Sequence, residues 1–537
     1  MARPLPPGAP VVPGPGLVLD PVRAGRRVLA GLLAALVLAP AAGAQDAAAP
    51  LTLAEAVRLA LERNLDLSIE RLNPLISREQ VREAIGAFDP LATAGVTYGR
   101  AERFLNNILE AEAESGLVVE ETLLAEYPAL TGRLVTGTQY ALGLTTPVTR
   151  SNHPLRLFDE AYQAQLTLSL TQPLLRDFGV EINTVRIRQA EKGERAAALG
   201  VEARMLALIR EVETQYWEVF YARRHVDTAR ASLELAEDLV ERLRRAREAG
   251  LATALDVLEA ETAVEARRSE LARARTDLAS AQAQLGLLID PRPAVAVPRD
   301  PVTPPPDDGA PQDLGGMLAR ALAARPELRQ QELVVERVAL EERVAMNALQ
   351  PRVDLVGGVG YNGLAGDGVN PNLRRGLPSR LRGRDTYSEA FNDFLTTDGN
   401  LSWSVGVRLQ LPLGRNEAQA RLAQVRLQRR QEELRLAQLR ARVAVDVETA
   451  FHDVSAGAER LAAARRGVEL AREQLRAQER DLAAGRTTVR RVLEAQEALA
   501  RAEDAASRAW TDYAAARARL DAAQAASFET HRLVITR

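Results

Sequence analysis

Four imidazoles, His153, His225, His452 and His531, stand in a chain of 537 residues that contains no cysteine. None lies at a ligand spacing from another histidine or from paired carboxylates, so no metal site is expected. The run Gly358-x-Gly360-x-x-Gly363 matches a dinucleotide fingerprint and follows a strand-like stretch. What comes next, LAGDGVNPNL, is no helix, so the phosphate cradle would lack its helix N-terminus, and glycines of a strand are expected instead. Asp159-Glu160 supplies adjacent carboxylates in a loop without pocket-forming sequence around it and reads as surface charge. No catalytic residue, cofactor or metal is expected, and the chain does not read as an enzyme.

What remains is charge placed beside two turns. Asp256 and Glu259 follow Gly250, and Arg491 and Glu494 follow Gly485, 235 positions later. At i,i+3 on a helix, Arg491 and Glu494 can form an ordinary surface ion pair. The stretches that carry them, GLATALDVLEA (250–260) and GRTTVRRVLEA (485–495), each lie between a long and a shorter Ala/Arg/Glu/Leu-rich segment. Each reads as the sharp turn of a helical hairpin, with glycine taking the positive φ past one helix end and Thr253 or Thr487 capping the next helix.

The elements around these turns occur twice. Residues 51–88 read as a helix, with Thr52 as N-cap, Glu55 as its capping-box partner and Pro74 as a kink. A shift of 261 superposes Leu53 on Leu314, Leu61 on Leu322, Leu67 on Leu328 and Pro90 on Pro351. Strand-like runs follow both prolines, 92–100 and 353–361. A second pair precedes Pro173 and Pro412, with Leu166, Leu168 and Leu170 alternating with polar residues in one, and Trp403, Val405, Val407 and Leu409 in the other. At about 9–11 residues these match a tilted membrane-spanning strand, with lipid outside and water inside. The shift there is 239, so the first repeat carries 22 extra residues within 101–162, including the strand-like TQYALGLTTPV (138–148). A single added strand would end on the wrong side of a membrane, so this insertion is expected to be an extracellular loop or hairpin.

Long helices follow over roughly 181–248 and 415–482, rods on the order of 100 Å. Two short helices stacked end to end, 53–87 with 254–288 and 314–349 with 488–525, match the length of one rod. Spacings of three and four, as in Leu461, Ala464, Val468, Ala471 and Leu475, mark left-handed coiled-coil seams. Residues 291–313 are a Pro-rich linker, and the tail 526–537 is uninformative. The organisation is therefore a signal peptide over 1–44, a first repeat over 45–290, the linker, a second repeat over 314–525 and the tail. Arg23, Arg26 and Arg27, the apolar run 28–39 and Ala42-Gly43-Ala44 form the signal, and the Pro/Gly-rich prefix before Arg23 suits a start placed too early. Aromatics make up 4% and net charge is −3, which points to long helices and gives no nucleic-acid footprint. Four strands cannot close a barrel, and an open sheet edge is not viable in hydrocarbon, so closure requires further copies of the chain.

The LTLAEAVRLAL opening, SLTQPLLRDFG (169–179), the GLATALDVLEAE turn and residues 484–524 together resemble the TolC family of outer-membrane efflux proteins over 51–525. The resemblance implies a mainly α fold with transmembrane β. Duplicated helical hairpins would form an α-barrel, and four strands per chain would contribute to a twelve-stranded barrel in a homotrimer. It implies an exit duct in outer-membrane lipid, with a long periplasmic extension, serving a tripartite efflux or type I secretion system. A periplasmic adaptor would meet the helix tips at Gly250, Leu251, Gly485, Arg486 and Thr487 and link them to an inner-membrane pump. Arg491 and Glu494 fall on the family's pore constriction, where Arg491 departs from an acidic pattern; an Arg/Glu ring would select cations less than an all-acidic one. Pro90, Pro173, Pro351 and Pro412 mark strand-helix junctions. The competing reading is a periplasmic coiled-coil scaffold or adaptor without a channel.

Overall fold

The computed structural model describes residues 51–104, 117–153, 156–250, 252–290, 311–369, 387–396 and 400–533, with 301, 303–306 and 309 of the linker. The signal segment and Leu251 lie outside the described residues. The first repeat opens with α1 (Leu53–Arg63), where the Thr52 hydroxyl accepts from the Glu55 amide at 3.2 Å, and continues as α2 (Leu65–Glu70) and α3 (Leu72–Ile85). The expected single helix is thus broken, and at Asn64 rather than Pro74. Asn64 is extended at ψ 129° and its side chain accepts from the Leu67 amide to start a new helix. Pro74 sits in the first turn of α3, where its missing N–H costs nothing. The second repeat breaks at the matching position: Arg325 is extended at ψ 123° between α7 (Leu314–Ala324) and α8 (Pro326–Asn347), and Pro326 occupies the first turn.

After the sheet and the single turn α4 (Val180–Asn183), α5 (Val185–Glu248) runs for 64 residues, and in the second half α10 (Asn416–Ala483) runs for 68, each about 100 Å long. The short helices stack along them as expected. α1–α3 and α6 (Ala254–Ile289) share α5, and their ends are pinned by Arg63 on Asp290 at 2.9 Å and by the Asn64 amide donating to Leu288 O at 3.0 Å. α7–α8 and α11 (Val489–Ala523) share α10, joined where Arg325 Nε donates to Ala523 O at 2.7 Å. α5 also packs against α8 and α11, so it ties the two repeats together. Its buried face, from Leu208 to Phe220, meets Ala56, Val57, Ala60 and Leu67 on one side and Ala281 and Leu285 on another. An edge-to-face series runs from Tyr216 through Trp217 and Phe220 to Trp510 of α11.

The linker and tail are folded onto this core. The buried Tyr216 hydroxyl donates to Leu51 O at 2.9 Å and accepts from the Thr303 amide at 3.0 Å, beside a parallel bridge of Leu51 to Pro301. The tail carries α12 (Ser527–Thr530), Phe528 and Leu533 pack on the same core, and His531 Nε2 lies 2.7 Å from Glu213 Oε1. A tail without sequence pattern is therefore a docked element, because its partners are remote in the chain.

One antiparallel sheet runs in the order β1 (Leu91–Phe104), β2 (Leu117–Arg133), β3 (Gln139–Ser151), β4 (Phe158–Pro173), β5 (Arg352–Val369), β6 (Leu401–Gln410). The helical fold class stands, but the described residues form six strands rather than four. The insertion is a hairpin built into the sheet, not an extracellular addition. Its turn at 134–138, with Gly137 at φ 95°, lies at the helix end, where the Gly179 amide donates to Thr136 O at 3.1 Å. β2 escapes a period-2 reading because its register slips between Glu126 and Leu130, around Pro128, which reverses the phase of alternation. Asp159 and Glu160 accordingly lie within β4 and not in a loop. Between β5 and β6, α9 (Tyr387–Thr396) packs Ala390 against Ala164 and Ala365.

Tyr216→Phe should lower stability by about 1–3 kcal/mol, since it strands a buried carbonyl and a buried amide at once. Denaturant unfolding of the purified protein measures it, and an unchanged midpoint would refute the strap.

Candidate functional site

Paired residues of an antiparallel ladder project from the same face, so the register assigns the two surfaces of the sheet. One face carries Val96 and Tyr98, then Leu123 and Ala125, then Leu142 and Val148, then Leu166 and Leu168, then Val359 and Tyr361, and finally Trp403, Val405 and Val407. The other carries Thr97, Thr122, Thr145, Gln165, Thr167, Ser169, Asn362, Ser402 and Ser404, with Glu126 among them. The apolar face is open on the outer strands, with Val96 74% and Trp403 72% exposed, and is covered by α9 at Ala164 and Ala365. It ends away from the helices in a row of alternating charge, Arg100, Glu121, Arg150 and Glu160, with Arg100 on Glu121 at 3.1 Å and Arg150 on Glu160 at 2.9 Å. Between that row and the helices β4 presents Tyr162 to Leu170, about the 9–11 residues that a tilted membrane-spanning strand needs. Prolines close the other end. Pro90 and Pro351 immediately precede β1 and β5, Pro173 is the last residue of β4, and Pro412 follows β6 by two residues. Gly358, Gly360 and Gly363 all lie in β5, and Gly360 lets Ser402 Oγ approach to donate to its carbonyl at 3.1 Å.

The two hairpin turns share a backbone and differ in chemistry. Gly250 and Gly485 have φ of 75° and 66°, as their role past a helix end requires. At the first turn Thr253 caps α6 in a complete capping box: its hydroxyl accepts from the Asp256 amide at 3.2 Å, and the Asp256 carboxylate takes the Thr253 hydroxyl and amide at 2.6 and 2.9 Å. Those bonds, the hydroxyl's first, hold the Asp256 carboxyl below the usual carboxylate range. At the second turn the cap is Thr488, not Thr487, which hydrogen-bonds Gln478 at 3.1 Å. Thr488 makes no side-chain cap bond, and Arg491, standing where Asp256 stands in the first turn, has no carboxylate to supply the reciprocal half of the box. Arg486 pairs back onto Asp481 at 2.7 Å, while Glu494 is shared by Arg490 at 3.1 Å and Arg491 at 3.7 Å. Two arginines in the first turn oppose the helix dipole of α11, so its start lacks both a cap bond and charge compensation.

A model of the family of outer membrane efflux proteins matches residues 138–289 and 317–526. The chain belongs to this family. Solved structures with the same fold include the CmeC outer membrane channel of Campylobacter jejuni, 14% identical over 88% of this chain and 86% of its own, with a TM-score of 0.61. The open-state MtrE outer membrane channel of Neisseria gonorrhoeae is 18% identical over 88% of both chains, with a TM-score of 0.59. A membrane protein from Pseudomonas aeruginosa is 22% identical over 88% of this chain and 93% of its own, with a TM-score of 0.61. No match emerges among curated proteins. Outer membrane efflux proteins are channels, not enzymes, and no helix among the described residues is long and apolar enough to cross a membrane.

In this efflux protein Gly250, Gly485, Arg486 and Thr487 lie at the far end of the helices from the sheet, and Arg491 and Glu494 form a surface ion pair in the single chain. Sequence reading missed a cluster between the hairpins. His225 of α5 has Nδ1 2.6 Å from Asp504 of α11 and Nε2 3.4 Å from Glu270 of α6. The Tyr221 hydroxyl also donates to Asp504, at 3.1 and 3.2 Å, and burial, followed by that carboxylate, pushes its pKa up to about 12. Asp504 stands 279 positions from His225, so no local spacing could announce the pair.

Thr253→Ala should cost about 1 kcal/mol of local helix stability, read as faster amide exchange over 254–258, whereas Thr488→Ala, with no cap bond to lose, should change little. Because the folded Asp256 value is depressed, its contribution is present above the ordinary carboxylate value and fades as pH falls through the lowered one. Exchange at the first turn should therefore quicken only in that acid window.

Proposed function

We propose that this chain is the outer-membrane exit duct of a tripartite efflux or type I secretion system. Three copies would close a barrel in the outer membrane and a helical tunnel in the periplasm, giving a passive conduit to the exterior. The observation that carries this reading is the sheet itself: one face apolar over a bilayer's thickness, the other hydroxyl- and amide-lined, and two outer edges that only another chain can pair. The helix tips are the periplasmic mouth. There, Gly250, Gly485, Arg486 and Thr487 would meet an adaptor that links the duct to an inner-membrane pump, and Leu251 belongs to the same turn by sequence. Arg491 and Glu494 would ring the constriction. Two arginines in the first turn of a helix, where the dipole disfavours positive charge, are the local irregularity expected where charge serves passage rather than stability.

Envelope fractionation and bilayer recording test the reading together. An outer-membrane oligomer with discrete conductance is expected, and a soluble periplasmic monomer would favour the scaffold alternative. Arg491→Asp should raise cation selectivity, and an unchanged reversal potential would remove Arg491 from the pore.

A further inference from the structure

The β2–β3 hairpin carries the same two faces as the strands on either side of it. Leu123, Leu142 and Val148 continue the apolar face, and Thr122, Thr145 and Thr149 continue the polar one. Its turn returns to the helix end, so both strands cross the full height of the sheet, and the charge row that ends the apolar band passes through Glu121 and Arg150 without a break. A surface loop would have no need of this register. The hairpin also preserves closure. β1 runs away from the helices and β6 runs back, so the first edge of one copy meets the last edge of the next antiparallel, as it would without the insertion.

We propose that the hairpin widens the exit pore: three chains of six strands close an eighteen-stranded barrel, whose polar wall admits bulkier hydrated cargo than a twelve-stranded exit would. The proposal rests on the trimeric duct described above. Barrel diameter grows roughly linearly with strand number, so eighteen strands give a diameter about 1.5 times and a cross-section about twice that of twelve. Barrels of that size leave an aqueous channel, whereas small ones fill with side chains. The polar wall sorts mainly by bulk because its charges, Glu126, Arg352, Asp354 and Arg408 among them, are of both signs and interspersed with hydroxyls and amides instead of forming a ring of one charge.

The absence of cysteine makes single-cysteine labelling clean. Thr167 lies on the polar face of β4, in a strand that the duct keeps with or without the hairpin. Maleimide-polyethylene glycol of graded mass, added from outside to cells carrying Thr167→Cys, should label up to a mass limit at least about twofold higher in the full chain than in a chain lacking 117–155. An equal limit overturns the proposal. Should the shortened chain fail to insert, the full chain decides: Thr145→Cys should react with a membrane-impermeant thiol reagent and Leu142→Cys should not. Equal reaction of both, or the reverse order, overturns the widened barrel. Loss of the outer-membrane oligomer and of all conductance from the unmodified chain would instead overturn the duct itself.

Discussion

A backbone amide or carbonyl in hydrocarbon has no water to turn to, and in this protein that rule governs more than the sheet. The strands cannot end in a free edge, so the chain is organised for closure by other copies, with β1 and β6 left as edges of opposite direction. Because the strands must also return to the helices, every excursion outward is matched by one back. That requirement makes an insertion of two strands admissible and an insertion of one not. It also gathers the helix–strand boundaries at one end of the sheet, where Pro90 and Pro351 precede β1 and β5, and Pro173 and Pro412 stand at or just past the ends of β4 and β6.

Below the sheet the governing interaction changes to helix packing, and α5 is its centre. It receives α1–α3 and α6 end to end along one side while contacting α8 and α11 of the other repeat. The Tyr216 hydroxyl ties the chain's entry at Leu51 and the inter-repeat linker at Thr303 to this one helix. Farther along, His225, Tyr221 and Asp504 supply polar contacts at the same seam between α5 and α11.

Most of the architecture was legible because it rests on periodicity and repetition. The seam residues Leu271, Ala274, Ala281 and Leu285 are buried as their spacing requires, and Leu67 and Leu328, 261 positions apart, are both core residues. What escaped depended on a single local choice or on distance. One extended residue, Asn64, broke a helix whose apolar pattern runs through the break. A slipped register around Pro128 hid β2 by reversing its phase. Thr487 and Thr488 are adjacent and chemically alike, and sequence alone does not separate the one that caps α11 from the one that bonds Gln478. The His531–Glu213 and His225–Asp504 contacts join residues with no sequence relation.

The duplication is faithful in the helices and unfaithful in the sheet. Four of the six strands come from the first repeat and two from the second. A ring of such chains therefore has helical walls that nearly repeat twice per subunit, standing under a barrel that repeats only once. The pseudo-symmetry is lost at the junction between them, so the connections from helix to strand cannot all be equivalent. Segments such as 174–184 and 411–415 must each absorb a different lateral offset between a helix and the strand it serves.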